Sequence, residues 1–274
     1  MKKLNYQLIV SDFDGTLACE DGVISQKNRD AIREYVTNGG KFAISTGRMP
    51  SGIIHQVEEL GLKGLVSCCQ GSIIVDVETK TPVMQGTMVH EEAVAVCEKL
   101  ETLGVHIHVY DLWDFYSNMD DDFLRLYEKM VREKATVVLD KPLSQFLKET
   151  KMPVYKILAM VAPEENKAVF QALIDLGLAN STITKSAEYL VEVVHSSYSK
   201  GTALQFMANH YNVPLEKTIG IGDQWNDLPM IEKAGLGLAV QNAAEKLKQS
   251  ATVLQTTNEN SAIAEAIYTF GFSK

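Results

Sequence analysis

Two carboxylates stand one residue apart in residues 10–17, VSDFDGTL, where Asp12 and Asp14 follow an apolar run and precede a Gly-Thr turn. Like charges aimed at one small volume repel unless a cation lies between them. A calcium-loop reading fails. Counted from Asp12, that loop's glycine and glutamate positions hold Leu17 and Val23, and a strand precedes instead of a helix. An Asx-type turn, with Gly15 at positive φ, accounts for the stretch equally well when it is taken alone. Other polar clusters follow later: Ser45, Thr46, Gly47 and Arg48 in STGR, Lys200 in YSKGTAL, and Asp223, Asn226 and Asp227 in GDQWND. By itself STGR is a capping threonine with a turn glycine, and Arg48 serves equally as a surface ion-pair partner. An isolated lysine before a helix is commonly solvent-exposed. GDQWND is more specific, because its acidic and amide groups crowd a glycine-flanked strand end. It is not a dinucleotide fingerprint, since Trp225 stands where the third glycine belongs. Together the clusters supply carboxylates for a hard cation, a hydroxyl and amides for an anion, and one ammonium.

Bringing such distant clusters together requires particular elements. Residues 4–11 read as a strand, and 25–38 as a helix capped by Ser25 and closed by Gly39 and Gly40. KFAIS continues as a strand into STGR, a helix follows over 50–60, and GLVSCC is a third strand. Mostly apolar strands alternating with helices predict a parallel sheet covered on both faces. The pattern changes at residue 73. Residues 73–89 alternate like a hairpin turning at 79–82, 91–103 form an amphipathic helix, and VHIHVYD alternates as a strand with His106 and His108 on an exposed face. Trp113, Phe115 and Tyr116 are assigned to packing in preference to a sugar-stacking platform. The acidic run at 120–122 opens a helix, where negative charge suits the dipole. YKILAMV, a helix over 163–176 and YLVEVV complete this part. After Lys200 the first pattern resumes, with TIGIGD and GLGLAV as strands among helices. The prediction is α/β: a Rossmann-like parallel-sheet core of residues 1–83 and 194–274, with an α+β unit of residues 84–193 inserted. Ligands of open parallel sheets bind beyond the carboxyl ends of the strands, which is where all four clusters fall.

Composition narrows the function classes. The chain has 274 residues, 46% hydrophobic and 22% charged, with a net charge of −9 and no basic stripe. Nucleic acids and acidic membranes are disfavoured, because phosphate-backbone affinity needs clustered cations. No charge-free apolar run approaches the ~18 residues of a spanning helix, and the Met1-Lys2-Lys3 start lacks an apolar stretch adequate for a signal. Cys19, Cys68, Cys69 and Cys97 lack metal-like spacing and read as free thiols of a reducing cytoplasm. Nothing in the sequence sets the oligomeric state.

DFDGTL, STGR, SKGTAL and GDQWNDLPMI, in this order and with a large insertion between the second and third, resemble the haloacid dehalogenase-like phosphatases, most closely the Cof-type sugar-phosphate phosphatases. The likeness covers nearly the whole chain and is loosest in the insertion, which it implies is a cap. CCQGS departs from it, standing where the family commonly has an Asn-Gly-Ala turn. The resemblance implies that Asp12 is the nucleophile and Asp14 the general acid and base. It further implies that Mg²⁺ is held by the side chains of Asp12 and Asp223 and the carbonyl of Asp14, with Asp227 fixing ligand waters. Phe13, Thr46, Gly47, Lys200 and Asn226 would hold or orient the phosphate. The expected partner is a small phosphorylated metabolite, hydrolysed through an aspartyl-phosphate. A phosphomutase, or a sugar-phosphate sensor that keeps only the binding groups, is the alternative.

Overall fold

A computed structural model describes residues 2–273. Its early strands are β1 (Leu8–Ser11), β2 (Lys41–Ser45), β3 (Leu65–Cys68), β4 (Ile73–Asp76) and β5 (Thr81–Gln85). The middle of the chain adds β6 (His106–Tyr110), β7 (Phe115–Ser117), β8 (Thr136–Val137), β9 (Lys156–Met160), β10 (Ser181–Ala187) and β11 (Leu190–His195). The late strands are β12 (Thr218–Gly222), β13 (Leu236–Ala239) and β14 (Thr252–Val253). One sheet runs β14-β13-β12-β1-β2-β3-β4-β5, parallel from β14 to β3, with the β4–β5 hairpin turned back along its edge. The other, β10-β11-β9-β6-β7-β8, is antiparallel except between β7 and β8.

The chain's local chemistry explains the first sheet. Every residue of β1, LIVS, is buried, because helices cover both faces of a parallel sheet. The helix Gln26–Thr37 starts where the Ser25 hydroxyl accepts from the Asn28 N–H at 3.2 Å. It stops before Gly39, whose φ of 97° turns the chain back into β2. After the intervening chain, the Ser199 hydroxyl caps the helix Lys200–His210 by accepting from the Thr202 N–H, and the Thr202 hydroxyl accepts from the Ser199 N–H.

The second sheet departs from the sequence reading in several places. β7, β8, β10 and the helix Leu143–Thr150 were not anticipated, and the hairpin strands end at Gln85 instead of residue 89. Two- and three-residue strands carry too little periodicity to detect, and β10, STITKSA, is a half-exposed edge with a polar composition. His106 and His108 do not face solvent; they are 5% and 0% exposed. Alternation did place them on one face of β6, but that face lies over the first sheet. Tyr110, Phe115, Leu158, Met160 and Leu190 of the second sheet share one apolar cluster with Phe13, Met49 and Cys69, which follow β1, β2 and β3 of the first. The opposite face, with Ile107 and Val109, packs on helices in a second cluster. Phe115 is buried as expected and Tyr116 packs on Phe146, whereas Trp113 is 39% exposed. Asp121 caps the helix Asp122–Val131 through a 2.9 Å bond from the Leu124 N–H. Among the described residues, no helix is long and apolar enough to cross a membrane.

Candidate active site

The carboxyl ends of β1, β2 and β12 and the start of the helix Lys200–His210 meet at one edge of the first sheet. As the chain leaves β1, the Asp12 N–H donates to the Ile221 carbonyl on β12 at 2.8 Å, so the following turn stays against the neighbouring strand. Asp12 is buried, and its Oδ1 lies 2.6 Å from the Lys200 ammonium. Lys200 is buried as well, and it also donates to Asp227 Oδ1 at 2.7 Å. Asp227 Oδ2 accepts from the N–H groups of Asp223 and Gln224, both at 2.9 Å. Both Asp227 oxygens are thus engaged in holding the lysine and the turn. The Thr16 hydroxyl donates to Asp223 Oδ1 at 2.8 Å, tying the first cluster to the last. Gly15 passes so close that a Cβ there would stand 2.6 Å from Asp223 Oδ2, and its φ is +74°.

Asp12, Asp223 and Asp227 each offer an oxygen within 4.8 Å of the others, all buried, against the single ammonium of Lys200. Burial, reinforced by the neighbouring Asp227, holds the Asp12 carboxyl well above the usual carboxylate range. The same two causes push Asp223 up to about 7. Burial works against the charged form of Lys200, but Asp12 and Asp227 outweigh it and raise its pKa. This cluster is short of positive charge, and its donors are all hard oxygens. A divalent cation such as Mg²⁺ fits that donor set.

Next to the carboxylates lies a cavity of about 110 Å³, lined among others by Asp12, Thr46, Gly47, Lys156, Glu192 and Asn226. The STGR turn is strapped to the CCQG turn: the Gln70 N–H donates to the Thr46 carbonyl at 3.1 Å and the Cys69 N–H to the Arg48 carbonyl at 2.8 Å. Cys69 and Gln70 both have positive φ, 48° and 60°, an uncommon conformation for side-chain-bearing residues. The Gln70 amide accepts from Asn226 Nδ2 at 3.0 Å and donates to Glu192 Oε2 at 2.6 Å, whereas Asn226 Oδ1 is buried without a partner. A Cβ on Gly47 would stand 2.5 Å from the Gln70 amide nitrogen. Asp14 sits at the cavity mouth with a half-exposed carboxylate. It accepts from Arg48 Nε at 2.9 Å and Nη2 at 2.7 Å, and also borders a wider groove of about 810 Å³. Arg48 is 8% exposed and stacks on the Phe13 ring, so it is no surface residue. The Phe13 ring is fully buried, which leaves only its backbone for a ligand.

All nine residues that the resemblance assigns to the site therefore surround this edge. Sequence reasoning missed Gln70, Lys156 and Glu192. Lys156 and Glu192 are 1% and 2% exposed in β9 and β11, which are otherwise apolar up to the terminal His195. Opposite charges, one in each of two apolar strands, were the available signal. The Glu192 carboxylate and Tyr127 keep the Lys156 pKa raised although burial opposes it.

A family model described as haloacid dehalogenase-like hydrolase matches residues 9–267. The chain belongs to that family. All four motifs of this haloacid dehalogenase-like hydrolase fall within the matched residues. It is 28% identical to phosphatase YwpJ of Bacillus subtilis, covering 94% of this chain and 97% of the relative. It is 26% identical to 5-amino-6-(5-phospho-D-ribitylamino)uracil phosphatase YwtE of the same organism, covering 93% and 95%. A solved haloacid dehalogenase-like hydrolase from B. subtilis superposes with a TM-score of 0.86 at 25% identity, covering 96% of this chain and 99% of that one. Kinship over full length with phosphatases makes this hydrolase a phosphoric monoester hydrolase.

Proposed function

We propose that the protein is a Mg²⁺-dependent phosphatase of small phosphorylated metabolites, sugar or polyol phosphates, acting through an aspartyl-phosphate on Asp12. Residues 1–83 and 194–274 would form its catalytic core, and residues 84–193 the cap that closes over the cavity and contacts the leaving group. The observation that carries this reading is the buried Lys200 ammonium 2.6 Å from Asp12, beside a cavity that Thr46, Gly47 and Asn226 also line. YwtE, a full-length relative, acts by its name on a phosphorylated ribityl chain, which supports the polyol class. Unpaired cysteines, three of them buried, fit the cytoplasm.

The second oxygen of Asp12 attacks phosphorus in line. The bond to the leaving oxygen breaks, its electron pair goes to that oxygen, and Asp14 at the cavity mouth supplies the proton. Water then attacks the phosphoryl group, its proton passes to Asp14, and the bond to Asp12 breaks, restoring both carboxyl groups. The Thr46 hydroxyl, the Gly47 N–H and Lys200 hold the phosphoryl oxygens, while Asp227 fixes Lys200. Mg²⁺, held by Asp12, Asp223 and the Asp14 carbonyl, would supply charge neutralisation at the phosphoryl oxygens. The test measures inorganic phosphate release, alongside isomerisation of the sugar phosphate, with and without chelator. Asp12→Asn should lower phosphate release by about 10⁴-fold or more with the fold unchanged by circular dichroism. Turnover retained in that variant removes Asp12 as nucleophile, full activity in excess chelator removes the metal, and isomerised product without phosphate release favours a mutase.

A further inference from the structure

Lys156 is a buried ammonium at this site that none of the phosphate-binding motifs contains. It opens β9 in the second sheet, and its Nζ donates to the Gly47 carbonyl at 2.7 Å. It lies 3.8 Å from Glu192 Oε2 and 4.4 Å from the centre of the Tyr110 ring. Glu192, on the adjacent strand β11, is held in turn by the Gln70 amide and the Ser186 hydroxyl. The Gly47 carbonyl belongs to the same peptide group as the Arg48 N–H. In a planar trans peptide the two point in opposite directions, so a clamp on one end orients the other. The Arg48 N–H donates to Thr46 Oγ1 at 3.1 Å. A hydroxyl that accepts this bond still has its own proton to donate, and Thr46 lines the cavity.

We propose that Lys156 is a positioning residue for phosphate binding: it clamps the Gly47–Arg48 peptide, and through the Arg48 N–H it aims the Thr46 hydroxyl at a phosphoryl oxygen. The inference rests on the phosphatase reading and deepens it, because the phosphate-binding turn of the first sheet is then completed by a side chain of the second. Anion affinity becomes coupled to the seating of the inserted unit. Glu192 keeps the clamp charged, and Gln70 links that carboxylate to Asn226.

The experiment measures inorganic phosphate binding by calorimetry in the presence of Mg²⁺, since phosphate carries no leaving group. Removing Lys156 alone would strand the buried Glu192 charge, so Lys156→Met is combined with Glu192→Gln and compared with Glu192→Gln alone. Loss of the clamp should weaken phosphate binding about tenfold, and the loss should shrink below about threefold when Thr46→Val is present in both proteins. Should the methionine variant melt below the assay temperature, Lys156→Gln with Glu192→Gln is read in the same way. Unchanged phosphate affinity with a raised KM for phosphate esters overturns the proposal and makes Lys156 a leaving-group contact. An equal loss with and without the Thr46 hydroxyl overturns it in favour of plain charge attraction. If the wild-type protein neither binds nor releases phosphate, the phosphatase reading falls and takes the proposal with it; wild-type binding that the variants leave intact overturns the Lys156 assignment alone.

Discussion

At the scale of single residues, two glycines with nearly the same backbone separate conformational strain from function. Gly15 and Gly22 have φ of +74° and +78°. A side chain at either forces a left-handed conformation that costs about 1–2 kcal/mol. Around Gly22 nothing lies within 4 Å of an added Cβ, whereas at Gly15 it would meet Asp223 Oδ2 at 2.6 Å. Gly15→Ala must therefore displace a carboxylate that the Thr16 hydroxyl otherwise holds in place. Both alanine variants should melt at lower temperature by comparable amounts. Only Gly15→Ala should raise the Mg²⁺ concentration for half-maximal activity, by about tenfold or more. Equal Mg²⁺ requirements in the two variants would mean that Asp223 is not a ligand. The glycine was legible as a turn residue in DFDGTL. Its second reason, close approach to a residue more than two hundred positions away, exists only in the folded chain.

At the scale of elements, β6 shows how a correct periodicity led to a wrong environment. Alternation put His106 and His108 on one face, and polar residues on an antiparallel strand usually face water. Here that face packs against Phe115, Tyr127 and the first sheet. The titratable residues facing the pair are Tyr110, Tyr127, Lys156 and Asp121. His106 Nε2 lies 3.0 Å from His108 Nε2, and His106 Nδ1 lies 3.3 Å from Asp121. Burial, then His106, then Lys156 hold the His108 pKa well below the usual histidine value; burial lowers His106 too, although Asp121 opposes it. The unfolded chain therefore binds these protons more readily than the folded one. Stability from the pair is fully present above the ordinary value near 6.5 and is lost as pH falls below it, by up to about 1.4 kcal/mol per pH unit for each additional proton. Between pH 7 and 5 the raised Asp12 and Asp223 carboxyls act in the opposite direction in wild type and variant alike, so the difference is read: the wild-type melting temperature should fall more steeply, or rise less, than that of His108→Gln over this range. An unchanged slope in the variant would show that His108 is protonated as easily in the fold as outside it.

At the scale of the whole molecule, the order of elements was readable because each parallel strand was an apolar run ending in a polar cluster, and such ends share one edge of the sheet. That logic located Asp12, Thr46 and Asp223 together, with Lys200 at the start of the helix that leads into β12. It gave no access to Lys156 and Glu192, because they enter from a different sheet whose placement over the first depends on packing of Tyr110, Phe115 and Leu190. The same closure has a thermodynamic consequence. The carboxylates proposed to hold the metal lie near the two ends of the chain, Asp12 after β1 and Asp223 after β12, with the inserted sheet between them in sequence. An ion bound by both prefers the folded chain, since unfolding separates its ligands, and it relieves a buried cluster that one lysine leaves negative. Mg²⁺ at a hundredfold its dissociation constant should add about 2.7 kcal/mol to the stability of the native state. For a chain of this size that corresponds to a melting-temperature rise of about 2–4 °C per kcal/mol, measured against the same protein in chelator. Asp223→Asn should remove the rise because it deletes the ligand at one end, whereas an exposed carboxylate such as Asp140 can be replaced by asparagine without altering it. A rise that survives Asp223→Asn would place the cation elsewhere and separate the two acidic clusters in function.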